Sequence, residues 1–324
     1  MPKLAHARSL SSGPRAVRSR SAVRALLLVV PLVGLVELGL HFWFAKRPPT
    51  FDEWGAVGDV VPTFAPASAP IVVAPRWAEP LARKALGDDR MPLAHVARSD
   101  TSRFERAVEV SILGERAPEL EGWVEERSVS RGKFHYRLLR NPQHRPVITD
   151  FVERARPPSA EAFLTEPAEP CRWNAHARPM SGGLGGNPTF PAERFECAGG
   201  PFISVGVTVI ADEQFVARRC LWSHPPRVGE IVTRFRSVAL GSTIEGHSGM
   251  YWMIERERRG APVTIAVRVD GDEIGKIEHH DGEGWAGFEL PLGAHANKAA
   301  ATVEFGVSSR NYQHRHFCFE ATSR

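Results

Sequence analysis

The sequence predicts a single N-terminal transmembrane helix, then a small α/β domain, then an all-β sandwich that is jelly-roll-like. Three observations predict this order. An apolar run at residues 25–45 lies near the N-terminus, strand-like and helix-like segments then alternate, and the C-terminal part contains short β-rich runs separated by Gly, Asp and Pro. A chain of 324 residues is long enough for more than one domain.

Residues 25–45 contain no Lys or Arg and are long enough, at ~1.5 Å per residue, to cross a hydrocarbon core of about 30 Å. The tail at residues 1–24 carries six basic side chains. The positive-inside rule therefore predicts a cytoplasmic N-terminus and C-terminal domains exported to the periplasm or cell envelope. A cleaved signal peptide is the alternative, but its apolar region is shorter and ends at a small-x-small site, so we expect an uncleaved anchor.

Glu37 and His41 are the ionisable residues of this run, and they lie one helical turn apart. Such residues are costly within a membrane and often functional. One interpretation is that each side chain shields the other within the helix. The other, which we favour, is that a protein partner buries both: a second copy of the chain or a polytopic membrane protein.

The net charge of +4 comes from the tail, because removing its six basic residues and Glu37 leaves 35 basic and 36 acidic residues from Lys46 onward. A near-neutral exported part has no electrostatic footprint for nucleic acid, so we predict no nucleic-acid partner. The basic tail is expected to rest on anionic lipid of the bilayer.

All the cysteines lie beyond the apolar run, which fits an oxidising compartment and two disulfides. Free thiols or metal ligation are the alternatives, but no cysteine pair or Cys/His cluster has zinc-like spacing. Of the three connectivities that are open, we favour Cys171 with Cys197 and Cys220 with Cys318.

A Pro-rich stem is predicted over residues 46–70, the small α/β domain over 71–157 and a linker over 158–170. Within the α/β domain, "PIVVAP", "AVEVSILG" and "GKFHYRLLRN" are strand-like, whereas "EPLARKALGDD" and "APELEGWVEE" are helix-like. This alternation predicts a layer of parallel strands.

Residues 171–324 are predicted to form the disulfide-supported sandwich. Its strand-like runs are "FISVGVTVIAD", "FVARRCLWS", "EIVTRFRSVALG", "GMYWMIERE", "VTIAVRVDGDEIGKIEH", "GWAGFELPL", "ATVEFGVSS" and "RHFCFEA". The fifth run reads as a hairpin with Asp270 and Gly271 at its turn.

Three glycine-containing strings do not match catalytic or nucleotide-binding motifs. "GSTIEGHS" has P-loop spacing, but His247 replaces the phosphate-binding Lys. "GHSGM" lacks the strand-to-helix elbow that a Ser248 nucleophile requires. "SGGLGGN" is better explained as part of a disulfide-closed loop than as a phosphate cradle.

Aromatic side chains of the sandwich region indicate a small-ligand site, because an aromatic face stacks on a sugar ring while polar neighbours bind its hydroxyls. For each Trp, packing in the core is the simpler alternative. The candidate ligand-binding residues are Trp252, His279, His280, Asp281, Trp285, Tyr312 and Arg315.

The sequence supports a catalytic site or a metal site less well than it supports a sugar-binding site. A carboxylate pair for glycoside hydrolysis cannot be chosen among the acids near the turns, which are Asp270, Asp272, Asp281, Glu283 and Glu289. His314 and His316 share one face of a strand and with His279 or His280 form a conceivable metal site, but exposed strand ends also tolerate His. We predict no metal, no cofactor and no catalytic residue.

The segment "VRVDGDEIGKIEHHDGEGWAGFELPL", followed by "ATVEFGVSS" and "HFCFEA", resembles galactose-binding-like jelly rolls and related carbohydrate-binding modules. The resemblance covers about the last 130 residues. Its motif, a "vDG" hairpin leading to a "gW..F" strand, is largely scaffold and implies a jelly roll. The resemblance to carbohydrate-binding modules implies a glycan as the expected ligand.

The segments "VELGLHFWFAKRPPTFDEW", "IVVAPRWAEPLARKALGDD" and "AVEVSILG" look like the junction of membrane helix and soluble part in polytopic transferases of the dolichyl-phosphate-mannose mannosyltransferase type. Those enzymes have a multi-helix catalytic bundle, whereas this chain has a single predicted membrane helix. The resemblance therefore implies an accessory ectodomain on a stem, without the catalysis.

Taken together, these patterns predict a membrane-anchored envelope protein whose exported part binds a glycan or a protein partner without catalysis. The alternatives are an accessory subunit of a lipid-linked-sugar glycosyltransferase system and an envelope carbohydrate hydrolase. A purely structural ectodomain is a third interpretation.

Overall fold

The computed structural model describes residues 29–40, 48–177 and 190–324. The chain divides into two compact units, Met1–Pro48 and Pro49–Arg324. In the first unit, residues 29–40 are helical and exposed, and they include Glu37. All further elements belong to the second unit.

The predicted membrane span at 25–45 is described only in part, because residues 25–28 and 41–45, His41 among them, lie outside the described residues. The tail at 1–24 lies outside them as well. Across the described ranges, no helix combines the length and the apolar character needed to cross a membrane.

Helix α1 (Phe51–Phe64) begins with a capping box. The Thr50 hydroxyl accepts a hydrogen bond from the Glu53 amide at 3.4 Å, and the Glu53 carboxylate accepts one from the Thr50 amide at 2.6 Å. Trp54, Val57 and Phe64 are buried against the sheet that follows. The predicted 46–70 stem thus contains a packed helix.

The first sheet has the strand order β1 (Ile71–Ala74), β2 (Arg106–Ser111), β4 (Phe134–Arg140) and β3 (Val124–Arg131) within the described chain. Strands β1 and β2 are parallel as predicted, whereas β4 runs antiparallel to both of its neighbours, so the all-parallel prediction is wrong. Helices α2 (Glu79–Leu86) and α3 (Leu93–Val96) connect β1 to β2.

The string "APELEGWVEE" is not the predicted helix. It forms a 3-10 turn at Pro118–Leu120 and then enters β3. Gly122 has a φ of +80°, a left-handed conformation that ends any helical continuation. The small domain therefore gains a strand pair where a crossover helix was expected.

Two further sheets form a β-sandwich. The first sheet of the sandwich, in spatial order, contains β16 (Ala286–Pro291), β13 (Thr243–Met250), β18 (Phe317–Ser323), β11 (Ala217–Ser223), β10 (Ser204–Ala211), β9 (Arg194–Glu196) and β8 (Arg172–Asn174), with β5 (Thr149–Asp150) beside β18. The second contains β15 (Asp272–His279), β14 (Val263–Val269), β17 (Ala301–Ser309), β12 (Ile231–Val238), β6 (Ala160–Thr165) and β7 (Ala168–Pro170).

The inward side chains of both sandwich sheets form one apolar core. At its centre the Phe151 ring contacts those of Phe235 and Phe305, with centroids 5.1 and 5.0 Å apart. Most of the β-rich runs predicted from the sequence are strands of this sandwich. The hairpin is confirmed, because Asp270 and Gly271, both at positive φ, turn β14 into the antiparallel β15.

One predicted strand is wrong. "GMYWMIERE" ends β13 at Met250 and then forms helix α4 (Trp252–Glu257), in which Glu255 is fully buried. The Glu255 carboxylate accepts a hydrogen bond from the Met250 amide at 2.7 Å, and this contact holds the first turn of the helix against the strand end.

The predicted disulfide pairing is confirmed. Cys171 bonds Cys197 near the edge of the first sandwich sheet, and Cys220 bonds Cys318 across the neighbouring strands β11 and β18. No cysteine of the sequence is left free. The string "SGGLGGN" lies between Cys171 and Cys197 but outside the described residues.

Candidate functional site

A concave surface on the outer face of the first sandwich sheet is called here the outer cleft. Its volume is about 310 Å³. It lies over β16, β13 and β18, and the segment after α3 closes one side. The lining residues are Asp100, Glu245, Gly246, His247, Gly287, Phe288, Glu289, Glu320, Thr322 and Arg324.

Strand pairing brings the polar side chains of the outer cleft together. Glu245 and His247 of β13 lie opposite Thr322 and Glu320 of β18 in the antiparallel register. Side chains alternate along a strand, so these four share the outer face while intervening residues such as Phe319 enter the core. The outer cleft is thus a consequence of register, and residues far apart in the sequence meet there.

His247 and Glu320 form a hydrogen-bonded pair, with 2.7 Å between Nδ1 and Oε1. A carboxylate only accepts, so Nδ1 carries the proton and the imidazole is held in one orientation. The other ring nitrogen, Nε2, lies next to Gly287. A Cβ atom added to this glycine would be 3.4 Å from Nε2. Nε2 therefore faces the space that a ligand would occupy.

Arg324 closes the opposite end of the outer cleft. Its Nη1 donates to Ser102 Oγ at 2.6 Å, and its guanidinium lies 3.8 Å from Asp100 and 3.7 Å from Glu245. Burial acts to raise the pKa of Asp100, but hydrogen bonds from Ser102 and the charge of Arg324 outweigh it, and the pKa lies below its ordinary value. Asp100 is therefore ionised at neutral pH.

Aromatic surface borders the outer cleft. The Trp285 ring is parallel to that of His247, with centroids 6.3 Å apart and planes 3° apart. The Arg218 guanidinium lies 6.0 Å from the Trp285 ring centroid. The outer cleft thus presents carboxylates, an imidazole and a guanidinium to a ligand and is bordered by the Trp285 ring, whereas the Phe288 ring packs towards the core.

No group of three or more His, Cys, Asp or Glu side chains suited to a metal ion occurs among the described residues. What the arrangement offers is hydrogen bonding: carboxylates accept from hydroxyl or amine groups, and Arg324 donates. The predicted absence of metal and cofactor stays a prediction.

Three of the candidate residues chosen from the sequence are engaged inside the protein. His279 is 1% exposed and bonds the buried Glu255 through Nε2 at 2.7 Å. Asp281 and Arg315 form a buried ion pair, and Asp281 also accepts from the Gly260 amide at 2.8 Å. These contacts join three loops at one end of the sandwich.

The other candidates are dispersed. Trp285 alone borders the outer cleft, while Trp252 contacts Phe215 at 5.1 Å between centroids. His280 is exposed, and Tyr312 lies 6.5 Å from the ring of His224. The seven predicted residues do not form one site in the described structure, and whether any of them binds a ligand remains a prediction.

Ser248 and His279 lie close together in the folded protein, with 3.4 Å between Ser248 Oγ and His279 Nδ1. With Glu255 on the other ring nitrogen, this series has the residue types of a hydrolase triad. However, all three residues are at most 1% exposed. Nothing can reach Ser248, so the network is structural.

Two histidines, His224 and His316, lie beside the Cys220–Cys318 disulfide on the outer face of the first sandwich sheet. The rings of His224 and His316 are 5.9 Å apart and pack among aromatic side chains that include Trp222. Burial lowers the pKa of His224 to about 4. Burial, followed by the nearby charges of His224 and His314, lowers that of His316 to about 3.

We expect acid to destabilise the protein through these two histidines. Below an ordinary pKa of 6.5 the unfolded chain binds protons that the folded state excludes, so the free energy of unfolding falls as pH falls from 6.5 towards 4. Between pH 7 and 5 the expected loss is about 2 kcal/mol for each histidine. Urea unfolding across this range measures it.

The control is the double variant His224→Phe with His316→Phe, which keeps aromatic packing and removes both titrating groups. Its stability should change less between pH 7 and 5 than that of the wild type. An unchanged pH dependence would show that other groups cause the effect.

Most residues of the outer cleft, including Asp100, Glu245, Glu320 and Arg324, are not among the site residues predicted from the sequence. A signal was present in "TIEGHSGM" and "CFEATSR", where polar residues alternate with apolar or small ones. The first string contains glycines, which are depleted in strands, so its sequence does not indicate a strand. Without the register of β13 and β18, the two alternating strings had no reason to be paired.

Comparison of the sequence with protein-family models and with curated proteins gives no match. Similar solved structures include a CBM51 module of Clostridium perfringens in complex with methyl-galactose, with 10% identity and a TM-score of 0.23 over 36% of this chain and 81% of that one. A CBM36 domain of a xylanase from the hindgut metagenome of Trinervitermes trinervoides has 12% identity and a TM-score of 0.22 over 39% and 82%.

A third similar structure contains a CBM51 module in complex with GlcNAc and INT domains, also from Clostridium perfringens. It has 8% identity and a TM-score of 0.26 over 65% of this chain and 45% of that one, so the chain covers less than half of it. These neighbours are carbohydrate-binding modules. TM-scores and identities of this size establish neither a shared fold nor a shared function.

Proposed function

We propose that the protein binds a glycan in the outer cleft. The observation that carries this proposal is the combination of a fixed His247–Glu320 pair, further carboxylates and Arg324 around a space of about 310 Å³ bordered by Trp285. Ligand pockets begin at ~300 Å³ and use few oriented polar groups on an apolar wall, so this space suits one or two sugar rings.

Hydroxyl groups match the outer cleft better than other ligand chemistry does. Each hydroxyl both donates and accepts, and the lining offers the carboxylate acceptor of Glu289 together with the Arg324 guanidinium, which lies 3.7 Å from Glu245. Phosphate-rich ligands would meet the negative charge of four carboxylates in the lining. A neutral or amine-bearing glycan meets no such repulsion.

We further propose that the segment 25–45 anchors this glycan-binding part at the membrane, with the N-terminus cytoplasmic and the domains exported. The apolar run, the basic tail and the two disulfides support this. An accessory role beside a lipid-linked-sugar transferase stays a prediction. Recovery of the full-length protein in an alkaline-washed soluble fraction would contradict the anchor.

Glycan binding should be lost when the outer cleft is filled. Gly287→Leu places a branched side chain beside His247 Nε2, and His247→Ala removes the oriented imidazole. For the tightest ligand in a panel of envelope-type glycans, each change should weaken binding at least 10-fold, which is about 1.4 kcal/mol. Isothermal titration with the full-length protein measures this.

The matched control is Gly55→Leu on the exposed face of α1, because nothing lies within 4 Å of a Cβ added there. Equal binding by Gly287→Leu, His247→Ala and wild type would contradict the proposal. Release of free sugar from the glycan, abolished by Glu320→Gln, would instead assign hydrolysis to the outer cleft and overturn the non-catalytic role.

A further inference from the structure

A separate cavity of about 280 Å³ opens at one end of the sandwich and is called here the end cavity. Its lining residues are Val152, Glu153, Ala155, Arg156, Trp173, Ala192, Glu193, Val207 and Arg219. It shares no lining residue with the outer cleft. We propose that the end cavity is a second saccharide subsite that takes an uncharged sugar ring against Trp173.

The floor of the end cavity is apolar and rigid. Val152 and Ala155 are 4% and 3% exposed, and Val207 packs against the core of the sandwich. Trp173 remains partly exposed, and Phe195 packs against its ring with centroids 4.8 Å apart. An indole held in this way presents a fixed ring surface, so little side-chain entropy is lost when a sugar ring stacks on it.

The rim of the end cavity is polar and electrically balanced. Arg219 donates to the Glu153 carboxylate at 2.8 Å, which orients a planar donor beside a planar acceptor. Arg156 and Glu193 add one charge of each sign, and neither forms an ion pair among the described residues. Two positive and two negative groups give no net attraction for an ion, whereas together they match the adjacent hydroxyls of a neutral sugar.

The end cavity and the outer cleft are neighbours. A small cavity of about 30 Å³, enough for roughly one water, lies between them. It shares Val152 and Arg219 with the end cavity and Glu320 and Arg324 with the outer cleft. Because both sites border this one small cavity, the proposed ligand is an uncharged oligosaccharide long enough to reach from the outer cleft to Trp173.

This inference rests on the proposed glycan binding, and a length series separates the two. Uncharged oligosaccharides of one to six units are titrated into full-length wild type, Trp173→Ala, Arg156→Ala and His247→Ala. We expect Trp173→Ala to weaken binding of the longer oligosaccharides at least 10-fold and that of the shortest less than 2-fold. Arg156→Ala, an exposed rim change, should act in the same direction without touching the core.

The matched control is Trp77→Ala, since Trp77 is 55% exposed and lies in the first domain. If Trp173→Ala and Arg156→Ala bind every length as wild type does while His247→Ala loses binding, the subsite is refuted and the outer cleft stands. Loss with Trp173→Ala but not with His247→Ala would refute the outer cleft and leave the end cavity as the glycan site. Binding of no oligosaccharide refutes both.

Discussion

Replacing Cys220 and Cys318 by alanine is expected to lower the free energy of unfolding by about 4 to 5 kcal/mol. The bond closes a segment with a sequence separation of 98, and in the chain-entropy model a loop of about 100 residues contributes roughly 4.7 kcal/mol. Both sulfurs are buried in a small aromatic cluster on the outer face, so the change also leaves unfilled volume. Urea unfolding measures the difference.

The Cys171–Cys197 bond provides the comparison. Its sequence separation is 26, for which the same model gives about 3.5 kcal/mol. Alanine at both of these positions should therefore destabilise the protein less than alanine at Cys220 and Cys318. The opposite ranking would mean that loop length does not determine what each bond contributes.

Glu255→Ala is expected to lower the free energy of unfolding by about 3 to 5 kcal/mol. The carboxylate is 0% exposed and accepts hydrogen bonds from the Met250 amide, the Gly282 amide and His279 Nε2, each at 2.7 Å. Its removal leaves two buried donors and one partly buried donor without an acceptor, and each buried one costs about 1 to 3 kcal/mol. Chemical denaturation of the full-length variant measures the loss.

Glu257→Ala is the matched control, because it removes an exposed carboxylate from the same short helix. Its effect should stay within about 0.5 kcal/mol. If both variants were equally stable, the buried network around Glu255 would have no structural role, and the internal position of His279 would need another explanation.

Local sequence signals predicted much of the sandwich. Alternating apolar residues and an Asp-Gly turn were sufficient for the β14–β15 hairpin, whose pairing depends on neighbouring residues alone. Strand β13 was missed because Gly246 and Gly249 weaken strand propensity. In the structure these positions need glycine, since a Cβ at Gly246 would overlap β18 and one at Gly249 would lie 2.7 Å from the Trp285 ring.

Helix α4 shows that the residues of a segment do not always predict its secondary structure. "YWMIERE" is rich in aromatic and β-branched residues, which favour a strand. The helix forms because the Glu255 carboxylate meets amides from β13 and from the loop at Gly282. The Gly282 amide lies in a distant loop, so the segment by itself could not indicate this partner.

The candidate site was the least predictable part. Residue types that suit sugar binding were recognised, but His279 and Arg315 of that selection turned out to be bonded internally. The outer cleft instead combines Asp100, His247 and Arg324, which strand register and the segment after α3 bring together. The amino-acid composition shows which side-chain types are available for sugar binding. Strand order and register determine which of these side chains lie together.

The most direct test of glycan binding in the outer cleft is a crystal structure of the protein with the tightest ligand from the panel. A sugar ring is predicted over Gly287, with hydroxyl oxygens within hydrogen-bond distance of His247 Nε2, Arg324 and at least one of Glu245, Glu289 and Glu320. An outer cleft without sugar in a crystal whose ligand is bound elsewhere on the chain would contradict the account.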